Sequence, residues 1–132
     1  MSHGSMTQMF ARVAGVVLTL LGIAGLIVNA DFSTGSAIVA ERVLFFDVNG
    51  WSSVVHLVSG LVLLVAATRG GYVRTASIAI AGLYLVLAVW SLFDASILDA
   101  LPVNDPTAIL YAAVAVVGLA AVYGPDRSDA SA

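Results

Sequence analysis

Four long stretches of the chain are almost wholly apolar, and the polar residues gather between them. They run from Met9 to Val28, from Trp51 to Thr68, from Tyr72 to Phe93 and from Thr107 to Tyr123. Each is within the roughly 17–25 residues that a helix needs to cross a hydrocarbon core about 30 Å thick. Lipid cannot satisfy a bare backbone N–H or C=O, so membrane-crossing stretches are helices or strands of a closed barrel. Barrel strands are shorter and alternate in polarity; these stretches do not alternate. The pattern predicts an all-α, four-helix transmembrane bundle of up-down topology over residues 9–123. Helices are expected at about 9–28, 51–68, 72–93 and 107–123, between an N-terminal tail (1–8) and a polar, frayed C-terminal tail (124–132). Arg12 and the Val28-Asn29-Ala30 sequence give the first stretch some features of a signal peptide. Its apolar run is long for that role, so retention as a helix is expected.

Composition agrees with a membrane solvent. Of the 132 residues 61% are hydrophobic and 10% charged, against roughly 25% charged in soluble domains. The net charge is −3 and there is no lysine. Five scattered arginines make no basic patch, so nucleic acid is not an expected partner. The lack of cysteine excludes disulfides, thiolate catalysis and cysteine-held metals.

The arginines predict an orientation. Arg12, Arg69, Arg74 and Arg127 fall on one side of the four spans, and only Arg42 on the other. The positive-inside rule then places both termini and the Gly70-Gly71 turn in the cytoplasm. Trp51, Trp90, Tyr72 and Tyr123 fall at span ends, where amphipathic rings favour the interface. In the long loop from Ala30 to Gly50, the segment Ala37–Phe46 is apolar apart from Glu41 and Arg42. It is expected to form a short helix or re-entrant piece at the outer interface. Pro106 suits the first turn of the fourth helix.

The second and fourth helices begin alike. A shift of 55 residues places Asn49 on Asn104, Ser52 on Thr107 and His56 on Tyr111. The chain then reads as two tandem helical hairpins in parallel orientation, with helices two and four in contact. The segment from Leu44-Phe45-Phe46 through Asn49, His56 and Gly60 carries an Asn-x6-His-x3-Gly motif. It resembles that of an uncharacterised family of small four-span bacterial, largely actinobacterial, membrane proteins, a domain of unknown function. The resemblance covers most of the chain and implies the four-span topology, but no activity. In that family the fourth helix often carries a second histidine, where this chain has Tyr111.

Asn49, Ser52, Ser53, His56, Ser59 and Gly60 share one face of helix two. Polar faces of membrane helices turn toward other helices or water. His56 is the only histidine in a predicted span. It is either a ligand, proton carrier or metal site, or interhelical glue bonded to a serine, a tyrosine or a backbone carbonyl. Its ring is expected to face inward and make at least one hydrogen bond, with Tyr84 and Tyr111 in reach. Helix three carries Ser77, Ala81, Tyr84, Ala88 and Ser91 on one stripe, helix one has Gly15 and Gly22, and helix four has Thr107, Tyr111, Ala115 and Gly118. Such small-residue stripes suit close packing.

No charge lies deep in a span, which argues against ion coupling. No catalytic motif is visible, so an enzyme is disfavoured. Nothing names a cofactor. The expected function is a structural or accessory membrane protein, packing with a second copy or a larger membrane complex within the lipid bilayer. The alternative is a binder or conduit for a lipid, cofactor or small solute at the polar face around His56. An accessory protein should have a closed polar face, a binder a pocket lined by His56 or Tyr111.

Overall fold

The computed structural model describes residues 3–124, with side chains from residue 6. The expected frayed tail and Arg127 lie largely outside the described residues. Four helices dominate: α1 (His3–Val28), α2 (Gly50–Ala67), α3 (Val73–Ser91) and α4 (Asp105–Tyr123). All four are long and apolar enough to cross a membrane. The protein is an all-α, multi-pass membrane bundle.

The apolar residues divide by depth in the bundle. Phe10, Leu18, Leu63, Tyr84, Leu87, Tyr111 and Val114 fill the interior. Leu20, Ile27, Val65, Val86, Ile109 and Val116 point outward and are exposed. A soluble protein would hide most of the second set; here they are the surface that meets lipid.

Neighbouring helices run antiparallel. Gly15 and Gly22 of α1 meet Gly60, Leu57 and Ser53 of α2 so closely that backbones touch: a Cβ built on Gly22 would lie 2.6 Å from the Leu57 nitrogen. Without hydrophobic drive between helices in lipid, such backbone approach supplies the packing energy. Gly118 of α4 likewise lies against Ala81 of α3 and Phe10 of α1. At the end carrying the termini, the Thr7 hydroxyl bonds the Ala121 carbonyl, 3.2 Å, tying α1 to α4.

The connections at the opposite end differ from expectation. Ala37–Phe46 is no helix or re-entrant segment. A short 3-10 turn (Gly35–Ala37) leads into a β-hairpin of β1 (Glu41–Val43) and β2 (Phe46–Val48). Asn29 enforces this path by donating to the carbonyls of Val39 (2.7 Å) and Val48 (3.0 Å). Arg42 and Asp47 pair across the strands at 3.4 Å. A second hairpin, β3 (Ser96–Ile97) and β4 (Leu101–Pro102), precedes α4. The chain is therefore two copies of helix, β-hairpin, helix.

Burial follows the same division. Under a shift of 66 residues, buried Thr7, Ala11, Leu18 and Leu21 of α1 map onto buried Val73, Ser77, Tyr84 and Leu87 of α3. In the hairpins and second helices the shift is 55, Ser52 and His56 mapping onto Thr107 and Tyr111. The two shifts differ by 11 residues, the extra chain inserted between α1 and the first hairpin. That insertion folds over the start of α2. The Asp31 carbonyl accepts from Gly50 N (2.7 Å) and the Phe32 carbonyl from Trp51 Nε1 (2.7 Å). The Phe32 and Trp51 rings meet edge to face at 5.1 Å.

Helices α2 and α4 were expected to be in contact as repeat partners. They meet through the rings of His56 and Tyr111, 6.0 Å apart, but their backbones pack more closely on α1 and α3 than on each other. The reason is geometric: elements exchanged by a twofold axis face each other across it, and here α1 and α3 approach it more closely.

Candidate functional site

The polar face of α2 begins with its cap. Asn49 is the N-cap residue: its side chain accepts from Ser52 N (2.8 Å), and Ser52 Oγ accepts from Asn49 N (2.9 Å). This reciprocal pair satisfies two donors that a helix start leaves bare. Asn104 caps α4 without the return bond, its side chain accepting from Thr107 N (3.1 Å). Both caps also reach into the other repeat. Asn49 Nδ2 donates to the carbonyl of Ala100, in the turn of the second hairpin. Asn104 Nδ2 donates to the carbonyl of Phe45, in the turn of the first, at 2.8 Å. The shift of 55 that carries Asn49 to Asn104 also carries Phe45 to Ala100. The bonds are thus reciprocal, as contacts across a twofold axis must be. Asp47 N adds to this layer by donating toward Thr107 Oγ1 (3.2 Å).

One turn deeper, His56 points into the bundle and is completely buried. Its ring lies beside two tyrosines, also completely buried: Tyr84 at 6.4 Å, the planes 25° apart, and Tyr111 at 6.0 Å, tilted. The two phenol rings meet edge to face at 5.6 Å. The inward orientation agrees with the polar stripe. The expected hydrogen bond is not made: both ring nitrogens lack a protein partner, as do the hydroxyls of Tyr84 and Tyr111. Aromatic neighbours explain this, since they fill the space beside the imidazole with ring faces and edges. Ser59 Oγ, toward which the Tyr84 hydroxyl is directed, donates to Val55 O at 2.6 Å. Ser53 Oγ, Ser77 Oγ and Thr19 Oγ1 are further buried oxygens without a partner.

The structure therefore splits the six sequence candidates into two layers. His56, Tyr84 and Tyr111 form one ring cluster, with Ser59 beside Tyr84. Asn49 and Ser52 form a cap above it. Sequence reasoning left Asn104 and Thr107 out of the site, although the shift of 55 pointed to both. The described residues bring together no group of three metal-ligating side chains.

The sequence pattern of the family described as Domain of unknown function (DUF4383) matches residues 8–123. The chain belongs to this family. The DUF4383 match runs from α1 to the end of α4, so both repeats, both hairpins and the ring cluster lie inside it. No curated protein and no solved structure matches this DUF4383 chain.

Proposed function

We propose that this protein is a structural or accessory membrane protein, acting by packing with a second copy or with a larger membrane complex. One observation carries the reading. All six candidate polar residues are at most 3% exposed, enclosed by the bundle. An open concavity lies instead on the lipid side, an apolar groove of about 520 Å³ between α1 and α4 lined by Met9, Phe10, Val13, Val17, Val117 and Ala121. A groove of that chemistry suits an apolar helix or chain. The proposed setting is a bacterial inner membrane, with the termini and the Gly70-Gly71 turn in the cytoplasm, from the arginine distribution.

The test is photocrosslinking in native membranes from reporters at Val17 and Val117. Discrete protein adducts that disappear with bulky groove substitutions support the reading. Adducts to lipid alone overturn it.

A second reading, a binder of a small polar ligand at the His56 cluster, is favoured by the buried nitrogens and hydroxyls without partners. Such groups are costly when buried and unpaired. Native mass spectrometry of the gently extracted protein distinguishes it: a retained ligand lost in His56→Leu supports binding, and identical ligand-free spectra refute it.

A further inference from the structure

We propose that the tips of the two β-hairpins are sunk into the lipid of the leaflet at their end of the bundle, as paired interfacial anchors. The argument joins side-chain choice to depth. The first tip presents Leu44 and Phe45, 78% and 69% exposed; the second presents Leu98, 68% exposed. Leu44 and Leu98 are both in the left-handed backbone region, at φ 56° and 54°. Turns needing that conformation ordinarily take glycine or asparagine, because a Cβ there crowds the carbonyl. Both tips instead carry a leucine that covers little of the protein, Leu98 being followed by exposed Asp99, also left-handed at φ 52°. A large apolar side chain held in a strained turn and turned outward gains only from an apolar exterior.

Depth is set by the asparagine caps. Phe45 O lies 2.8 Å from Asn104 Nδ2, so the first tip sits level with the start of α4. Ala100 O is held by Asn49 at the start of α2. These are the levels at which apolar spans begin, and exposed Ile109 of α4 follows within about 8 Å along the helix axis. Trp51 and Trp90, part-exposed at the same end, have the amphipathic rings of an interface. The tips thus continue the lipid-facing surface of the helices. Leu92 and Phe93, exposed just beyond α3, extend it.

Charge does not drive the contact. This end carries Asp31, Glu41, Asp47, Asp94, Asp99 and Asp105 against a single arginine, Arg42, paired with Asp47. Insertion rests on apolar burial, so it should be indifferent to salt and to anionic lipid.

The experiment exploits the cysteine-free chain. Leu44→Cys, Leu98→Cys and, as reference, Ser36→Cys are labelled with an environment-sensitive fluorophore and reconstituted in phosphatidylcholine vesicles. The vesicles carry doxyl groups either near the headgroup or near the chain end. The two tips should show blue-shifted emission, stronger quenching by the shallow doxyl lipid than by the deep one, and protection from aqueous iodide. Ser36→Cys should show red-shifted emission, quenching by iodide and little quenching by either doxyl lipid. Adding phosphatidylglycerol or salt should change nothing. As a probe without a dye, Phe45→Trp in a background with Trp51 and Trp90 replaced by Phe should give the same depth. Tips quenched by iodide and untouched by either doxyl lipid overturn the proposal. Protection in native membranes but not in vesicles also overturns it, pointing to a protein partner.

Discussion

Replacing Asn49 by serine separates its two tasks. A serine hydroxyl can still accept from Ser52 N, but cannot reach the Ala100 carbonyl that Asn49 Nδ2 holds. Asn49→Ala loses both interactions. Loss of the cap costs about 0.5–2 kcal/mol. Loss of the bridge, with a part-buried carbonyl left unpaired, costs about 1–3 kcal/mol. Asn49→Ala should therefore lose about 1.5–5 kcal/mol, and Asn49→Ser about 1–3 kcal/mol. The reciprocal bond from Asn104 to Phe45 is exposed, so solvent and headgroups can replace it. Asn104→Ser should lose only about 0.5–1.5 kcal/mol. The assay is unfolding in mixed micelles titrated with sodium dodecyl sulfate, read by far-ultraviolet circular dichroism and by Trp51 and Trp90 fluorescence. A wild-type midpoint for Asn49→Ser, or a larger loss for Asn104→Ser than for Asn49→Ser, would refute the idea that these caps fasten the repeats together.

Other outcomes follow from single positions. Gly22→Ala would put a Cβ 2.7 Å from the Ser53 carbonyl oxygen. It should destabilise by about 1–3 kcal/mol in the same titration. Gly82→Ala meets nothing within 4 Å and should be neutral or gain up to about 1 kcal/mol from helix propensity; similar losses in both would show that α1 and α2 do not touch through glycine. His56→Leu deletes two unpaired ring nitrogens, so its cost should stay below about 1 kcal/mol; a cost above about 3 kcal/mol would reveal a hydrogen bond to that ring. For orientation, an impermeant thiol reagent applied to intact cells should label Ser36→Cys and, because the Ser96 hydroxyl is buried, its exposed neighbour Ala95→Cys, but not Ser128→Cys, and the opposite pattern would invert the proposed topology.

The four helices were legible because hydrocarbon imposes a simple demand: a long apolar run with its backbone bonded internally. The hairpins were not. Their turns carry Leu44 and Leu98 where glycine or asparagine would have announced a reversal. The density of apolar residues in Ala37–Phe46 imitated a helix, and what decides against one is Asn29, eight residues or more away in the chain, gripping Val39 and Val48. The polar stripe correctly turned His56 inward. It could not reveal that the neighbours would offer rings rather than acceptors. The repeat could be read from Asn49 and Asn104, whereas their role as bridges depends on hairpins that no periodicity revealed.

The insertion before the first hairpin also settles a matter of valency. Two equivalent halves around an axis display each lateral surface twice, so a partner recognising only repeated features could load two copies per chain. The insertion is present once. It covers the start of α2 and reaches across to the second hairpin, where Gly35 N donates to Asp99 O at 2.7 Å. A partner that read it would meet one such surface per chain, where the repeated faces offer two.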